Sequence, residues 1–292
     1  MLFYLPEEPP YSLSFDQCGY GSTLLITNIS IIIWIYAFHA ALLVITLPIW
    51  LTSRLENFKA KFSSYFFWNG LIRLFMETFF ELVLTAVLNM RMVDWLTPYP
   101  AVNLSTALAM ISLILVSVLS PFLVFLYWRN FSILAEDRFK SKYGAGLVGT
   151  NLVKKVQPRS ILAFPMIFFG RRVLFAVSAV LLKDCLWAQL AIQIMVSVFM
   201  IIYLMWYKPL ESPFALRIEV MNECTVIVQT YGLFCFTDFV PAPETRIEIA
   251  YVYMGVCLAN ILVHLTLLLL ATGHKLKLMC KKKFRCCRKT SN

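Results

Sequence analysis

Seven long apolar segments limit the chain to a fold inside a membrane. They cover roughly 23–51, 63–90, 104–128, 160–182, 185–207, 218–240 and 246–272. About 20 mostly apolar residues suffice for an α-helix to cross the hydrocarbon core of a bilayer. The mean hydropathy is +0.74 and only 14% of residues are charged, whereas about a quarter are charged in soluble domains. The sequence therefore predicts an all-α, polytopic membrane protein with about seven transmembrane helices.

Lysine and arginine are concentrated in alternate connections, and this predicts the orientation. Of the 26 such residues, 20 lie in the first, third and fifth connections or after the last segment. On the other side lie only Arg91, Lys183 and Arg246. Because positive charge accumulates on the cytoplasmic side, we expect the N-terminus outside and the C-terminus in the cytoplasm. The net charge of +10 then suits anionic lipid headgroups rather than nucleic acid.

This topology divides the chain into three parts. Residues 1–22 form a short extracellular segment, 23–274 the membrane domain, and 275–292 a basic cytoplasmic tail. The first part is acidic and lacks the basic start of a signal peptide. We therefore expect either that the first helix inserts in reverse or that the chain is the end of a longer precursor.

The second apolar segment, "NGLIRLFMETFFELVLTAVLNM" at 69–90, carries polar residues at multiples of four. They include Arg73, Glu77, Glu81 and Asn89. Four residues rotate a helix by about 400°, so this row moves round the helix by about 40° at each step. A charge facing lipid costs several kcal/mol. The row should therefore face protein or water.

Two carboxylates against one guanidinium leave a surplus negative charge, which predicts a cation from another helix. The fourth segment offers Arg171 and Arg172, and the sixth adds Glu219, Asn222 and Glu223. One interpretation is a structural network that holds helices together. The other is an ion path or gating network, for which intramembrane charges are the usual marker.

The cysteines fall into groups with different expected roles. Cys18 and Cys185 are predicted outside and could form a disulfide; two unpaired surface thiols are the alternative. The basic tail contains three candidates for reversible acylation, Cys280, Cys286 and Cys287. The alternative is an unmodified tail bound to lipid headgroups. The Cys and His spacing predicts no metal site, and we expect no cofactor.

Four stretches carry a family resemblance: "NGLIRLFMETFFELVLTAVLNM", "FKSKYGAGL", "FFGRRVLFAVSAVLL" and "WYKPLESPFALRIEVMNECTVIVQTYGLFCFTDF". They resemble the C-terminal membrane domain of large ciliate surface proteins. The same order of features is loosely similar to the TRP-like, polycystin-related channel domain of fungal membrane proteins. The resemblance implies a TRP-like helical fold, cation conduction, oligomerisation and a plasma or ciliary membrane.

Two departures from the family keep other functions open. Only about 20 residues precede the first segment, and the outer connection "TDFVPAPETRIE" is short for a pore helix and filter. In an oligomer, the acids near this connection could still form an outer ring; they are Asp238, Glu244 and Glu248.

The first hypothesis is a TRP-like membrane domain that conducts or senses cations. The alternatives are a non-conducting anchor or subunit of an extracellular or membrane assembly, and a seven-helix receptor. An enzyme is not expected, since no GxSxG, HExxH or P-loop pattern occurs.

Overall fold

A computed structural model describes residues 11–51, 68–92, 97–134, 136, 139, 143–147, 159–237 and 240–289. The side chains at 47–51, 159, 268, 271 and 274–289 are outside this description. Within it the chain is helical and has no strand, which confirms the all-α prediction. The α-helices are α1 (Leu13–Gln17), α2 (Leu25–Asn28), α3 (Ser30–Leu51), α4 (Asn69–Arg91), α5 (Pro100–Arg129), α6 (Ala163–Leu181), α7 (Leu186–Tyr207), α8 (Pro213–Phe234) and α9 (Pro243–Lys289).

Four stretches of the described chain are long and apolar enough to cross a membrane: Pro100–Arg129, Ser160–Leu181, Leu186–Tyr207 and Pro243–Leu267. Helix α3 is also apolar, over Ser30–Thr46. The helices α4 and α8 are long as well, but each has three charged residues between its fifth and thirteenth positions. The protein is therefore an integral membrane protein by the length and composition of its helices.

The chain divides into two compact units, Met1–Val220 and Met221–Asn292, with the division inside α8. In the first unit α4 is central, and it packs against both α5 and α6. Its buried face supplies Phe75, Phe79, Val83 and Leu88 to the main core. Aromatic contacts strengthen this core: Phe75 and Phe79 each pack against Phe169 of α6, with ring centroids 5.9 and 4.7 Å apart.

Smaller clusters hold the remaining helices of the first unit. Leu25 and Ile29 pack with Ala86 of α4 and Ala109 of α5, where small side chains allow helices in a membrane to approach closely. In α7, Tyr203 donates to the carbonyl of Ser160 at 3.0 Å, just before α6. Lys208, the residue after Tyr207, caps the end of α7 in the left-handed conformation with φ of 46°.

The second unit contains the rest of α8 and the long helix α9. The Phe236 and Tyr253 rings make an edge-to-face contact with centroids 5.7 Å apart. Gln229 of α8 donates to the Cys257 sulfur at 3.5 Å. Close packing leaves no room beside Gly232, where an added Cβ would lie 2.9 Å from the Tyr253 ring.

Candidate functional site along helix α4

The polar row of α4, which we define as Asn69, Arg73, Glu77, Glu81, Thr85 and Asn89, changes its surroundings along the helix. Arg73 and Glu77 are exposed, Glu81 is half-buried, and both Thr85 and Asn89 are buried. The progression follows from geometry, since five steps of about 40° turn the row by about 200°. The polar row thus begins on an exposed surface of α4 and ends on a buried one.

At the buried end, Asn89 joins three parts of the chain. Its amide nitrogen donates to the Thr23 carbonyl at 3.3 Å and to the Ser105 hydroxyl of α5 at 3.1 Å. The Ser105 oxygen also accepts from the backbone N–H of Ile26 at 3.3 Å. Thr85 donates back to the Glu81 carbonyl, as helical Thr commonly does. Here the polar row acts as a structural connection between helices.

The N-terminal segment, which we define as residues 11–29, contacts the middle of the polar row at Glu81. The Tyr20 hydroxyl donates to the Glu81 carboxylate at 2.7 Å. Burial, and then the hydrogen bond and negative charge of Glu81, raise the pKa of Tyr20 above its ordinary value. The N-terminal segment therefore binds one of the carboxylates that the sequence offers to either a structural network or an ion path.

A second contact fixes the start of the N-terminal segment on α6. Tyr11 donates to the carbonyl of Val180 at 3.0 Å, and the Lys183 ammonium lies 4.5 Å from the centre of its ring. Edge-to-face contacts link Tyr11 to Phe15 and Phe15 to Tyr20, at 5.5 and 6.1 Å. This aromatic series packs against the main core, so the segment is docked on α4, α5 and α6.

Arg172 reaches α4 from α6, but it does not bind a carboxylate there. Its guanidinium donates to the carbonyl of Met76 at 3.3 Å. It also lies 3.7 Å from the centre of the Phe168 ring, a cation–π contact. The neighbouring Arg171 is half-buried. The fourth apolar segment thus brings a guanidinium to α4, but its acceptor there is a backbone carbonyl and not one of the two carboxylates.

The exposed part of the row consists of Arg73 and Glu77. Within the described residues, no ion pair joins either of them to another charged group. The i, i+4 spacing brings the two side chains to the same surface of α4. Arg73 and Glu77 therefore place one positive and one negative charge side by side on the exposed surface of α4, while other residues of the helix pack into the core of the first unit.

The short turn Gly144–Leu147 packs against the N-terminal end of α4, where Asn69 lies. The Asn69 side-chain oxygen accepts from the backbone N–H of Ala145 at 2.7 Å. Tyr127 of α5, only 1% exposed, donates to the Tyr143 carbonyl at 3.0 Å. The described turn at the end of the quoted "FKSKYGAGL" stretch therefore bonds to both α4 and α5.

The other predicted site residues lie on α8 and near the start of α9. Glu219 is half-buried in the first unit, whereas Asn222 is half-buried and Glu223 is 1% exposed in the second. Glu244 and Glu248 are exposed at the start of α9, and Asp238 lies outside the described residues. No group of three metal-ligating side chains occurs among the described residues.

The cysteines occupy different environments. Cys18 and Cys185 are both exposed free thiols, at the end of α1 and just before α7. Cys280, Cys286 and Cys287 lie on α9, but their side chains are outside the described part of the chain.

Sequence reasoning missed Tyr20 and Ser105, which bond to the polar row, and Tyr11 and Tyr127, which fix the N-terminal segment and the turn beside it. The available signal was the recurrence of aromatic residues at Tyr11, Phe15 and Tyr20, ahead of the first apolar segment. Ser105 resembled any small residue in an apolar helix. Comparisons of the chain with family models, with curated proteins and with solved structures give no match.

Proposed function

We propose that this protein is a seven-span subunit of a homo-oligomeric membrane assembly at the plasma or ciliary membrane, with Arg73 and Glu77 at the contact between copies. The observation that carries the proposal is the exposure of both charges on α4. Their oppositely charged side chains would complement a second copy of the same surface. In this proposal the protein holds an assembly together and performs no catalysis.

Depth in the membrane supports the contact. Glu77 lies eight residues into α4, which is about 12 Å along the axis of a helix some 34 Å long. That depth is well inside a hydrocarbon core about 30 Å thick. A charge facing lipid at this level costs several kcal/mol, and such residues almost always face protein or a water-filled cavity.

A twofold contact would pair the charges reciprocally. In an isologous interface, Arg73 of one copy meets Glu77 of the other, and the reverse pair forms at the same time. Two ion pairs shielded from water by the surrounding helices are stronger than the same pairs at an aqueous surface. The N-terminal segment meanwhile engages Glu81 and Asn89 within each copy.

Charge reversal in two differently tagged chains tests this contact. Arg73→Glu alone and Glu77→Arg alone each place like charges together in a self-complex, so neither variant should co-purify with itself. The two variants mixed should co-purify, because every cross-contact is then complementary. Arg91→Glu, an exposed change at the other end of α4, is the matched control and should self-associate as wild type does. Wild type that remains a single chain in lipid nanodiscs would reject the proposal.

Cation conduction is the second candidate, favoured by the partial exposure of two carboxylates. Glu77 is exposed and Glu81 half-buried, and both would border a path if several α4 helices surrounded one axis. Rings of acidic side chains select cations in such paths. The Tyr20 hydroxyl bound to Glu81 would then lie at the edge of the path.

Cation flux into liposomes that contain the purified protein tests conduction. Flux that decreases in Glu77→Gln would support a path beside α4. Glu223→Gln tests the second unit in the same assay, because Glu223 is buried there. Absence of flux from folded, assembled wild type would reject conduction and leave the assembly proposal intact.

A further inference from the structure

The first unit contains a long apolar cavity between the N-terminal segment, α3, α4 and α5. Its volume is about 450 Å³, within the range of roughly 300–1,000 Å³ that is usual for ligand sites. Its walls are aliphatic and aromatic, and representative residues are Leu25, Ile33, Phe75, Leu115 and Leu119. The walls therefore suit a hydrocarbon ligand.

Few of the side chains that line this space carry a hydrogen-bonding group. They are Tyr36 and Ser112, together with Trp68 and Tyr143 at one end. Tyr36 is already engaged, at 2.9 Å from the Thr78 hydroxyl, which in turn donates to the Leu74 carbonyl. Water needs two to four polar partners and leaves apolar cavities dry. An acyl chain from the surrounding bilayer has no such requirement.

The cavity is elongated along α5. Lining residues recur along one face of that helix from Leu108 to Leu126, a separation of about 27 Å at 1.5 Å per residue. This direction is that of lipid acyl chains in a bilayer, whose hydrocarbon core is about 30 Å thick. The shape favours an extended, flexible chain over a compact ligand.

One end of the cavity has the features of a headgroup region. Trp68 and Tyr143 line it with ring centroids 5.4 Å apart, and both residue types are enriched at the membrane interface. Arg129 is exposed at the C-terminal end of α5. It follows the lining residue Ile111 by 18 residues, which is five whole turns, so it continues the same face of the helix.

We propose that this cavity binds one acyl chain of an anionic phospholipid, with Arg129 beside the phosphate of the headgroup. The charge of Arg129 complements that phosphate, and basic sites between transmembrane helices bind anionic headgroups in this way. The inference rests on membrane embedding and is independent of the oligomer and of conduction.

Native mass spectrometry of protein extracted from vesicles of equal phosphatidylcholine and phosphatidylserine tests the site. Wild type should retain one phospholipid per chain, enriched in phosphatidylserine. Ser112→Phe places a ring in the cavity and should abolish retention. Ser117→Phe is the matched control, because Ser117 lines a separate cavity of about 1050 Å³ between α4, α5 and α6; it should retain the lipid. Arg129→Gln should keep the lipid but lower the preference for phosphatidylserine about fivefold.

Circular dichroism melting shows whether each variant is folded, and Ser112→Leu replaces Ser112→Phe if the larger side chain prevents folding. Retention of lipid by a folded Ser112 variant would overturn the assignment. Displacement of the phospholipid by cholesterol added to the vesicles would also overturn it, since the occupant would then be a sterol. Equal retention of both phospholipids by wild type would reject the role of Arg129.

Discussion

The contact between Gly146 and Tyr127 gives the sharpest quantitative prediction for this fold. A Cβ added at Gly146 would lie 2.5 Å from the Tyr127 hydroxyl oxygen and 3.3 Å from its Cζ atom. The backbone of Gly146 is not in the left-handed region, so an alanine costs nothing in φ. The whole effect of Gly146→Ala should therefore arise from this contact.

The tyrosine has little freedom to move away. It is 1% exposed, and its hydroxyl donates to the Tyr143 carbonyl at 3.0 Å. Forcing an extra methyl group into a packed core costs about 1–3 kcal/mol, and displacing a buried hydroxyl from its acceptor costs about 1–3 kcal/mol. Because movement that relieves one cost incurs the other, we expect Gly146→Ala to lower the free energy of unfolding by about 1–3 kcal/mol.

Two further variants make the assignment specific. Gly170→Ala is the matched control, since no atom lies within 4 Å of its added Cβ. It should leave stability unchanged or raise it by up to ~1 kcal/mol, because alanine is the better helix former. Tyr127→Phe removes the oxygen in conflict and leaves the ring carbons at 3.3 and 3.4 Å. In that background Gly146→Ala should cost less than about 1 kcal/mol, a measurable coupling.

Denaturant titration in detergent micelles, followed by circular dichroism, gives the free energy of unfolding of each protein in the cycle. The four proteins are wild type, Gly146→Ala, Tyr127→Phe and the double variant. The same loss for Gly146→Ala with and without the Tyr127 hydroxyl would refute the reasoning. So would a Gly146→Ala protein as stable as Gly170→Ala. Either result would place the short turn Gly144–Leu147 away from α5.

Three other changes test the N-terminal segment and the polar row. Tyr20→Phe removes the hydrogen bond to Glu81, so limited proteolysis should cleave the N-terminal segment faster. The pKa of Tyr20 is raised in the folded protein. The Tyr20 hydrogen bond should therefore stabilise the docked N-terminal segment fully below pH ~10, the unfolded pKa, and this stabilisation should be lost as pH rises through the folded pKa. Protection of the segment from proteolysis should decline only in that pH range. Asn89→Ala removes two hydrogen bonds and should lower the unfolding free energy by about 1–3 kcal/mol in detergent. Arg172→Leu loses the Met76 hydrogen bond and the cation–π contact, so it should be less stable than Arg172→Lys, which keeps the charge; equal thermal midpoints would contradict this.

The sequence by itself determined the helical class and the positions of the long helices. Hydropathy and segment length are local properties: the apolar segment 104–128 lies within α5, and the segment 185–207 matches α7 to within one residue. The four-residue spacing in α4 likewise fixed the existence of the polar row and its slow rotation round the helix. Periodicity of this kind depends only on the geometry of one helix.

Only the tertiary structure decided what each polar residue does. Glu81 meets Tyr20 from 61 residues away, Asn69 meets Ala145 from 76 away, and Met76 receives Arg172 from 96 away. No periodicity within α4 contains these partners, because they arrive from other helices and turns. The polar row is therefore exposed at Arg73 and Glu77 and buried at Thr85 and Asn89. The boundary between the two parts lies where other segments begin to cover α4, and packing between distant parts of the chain sets it.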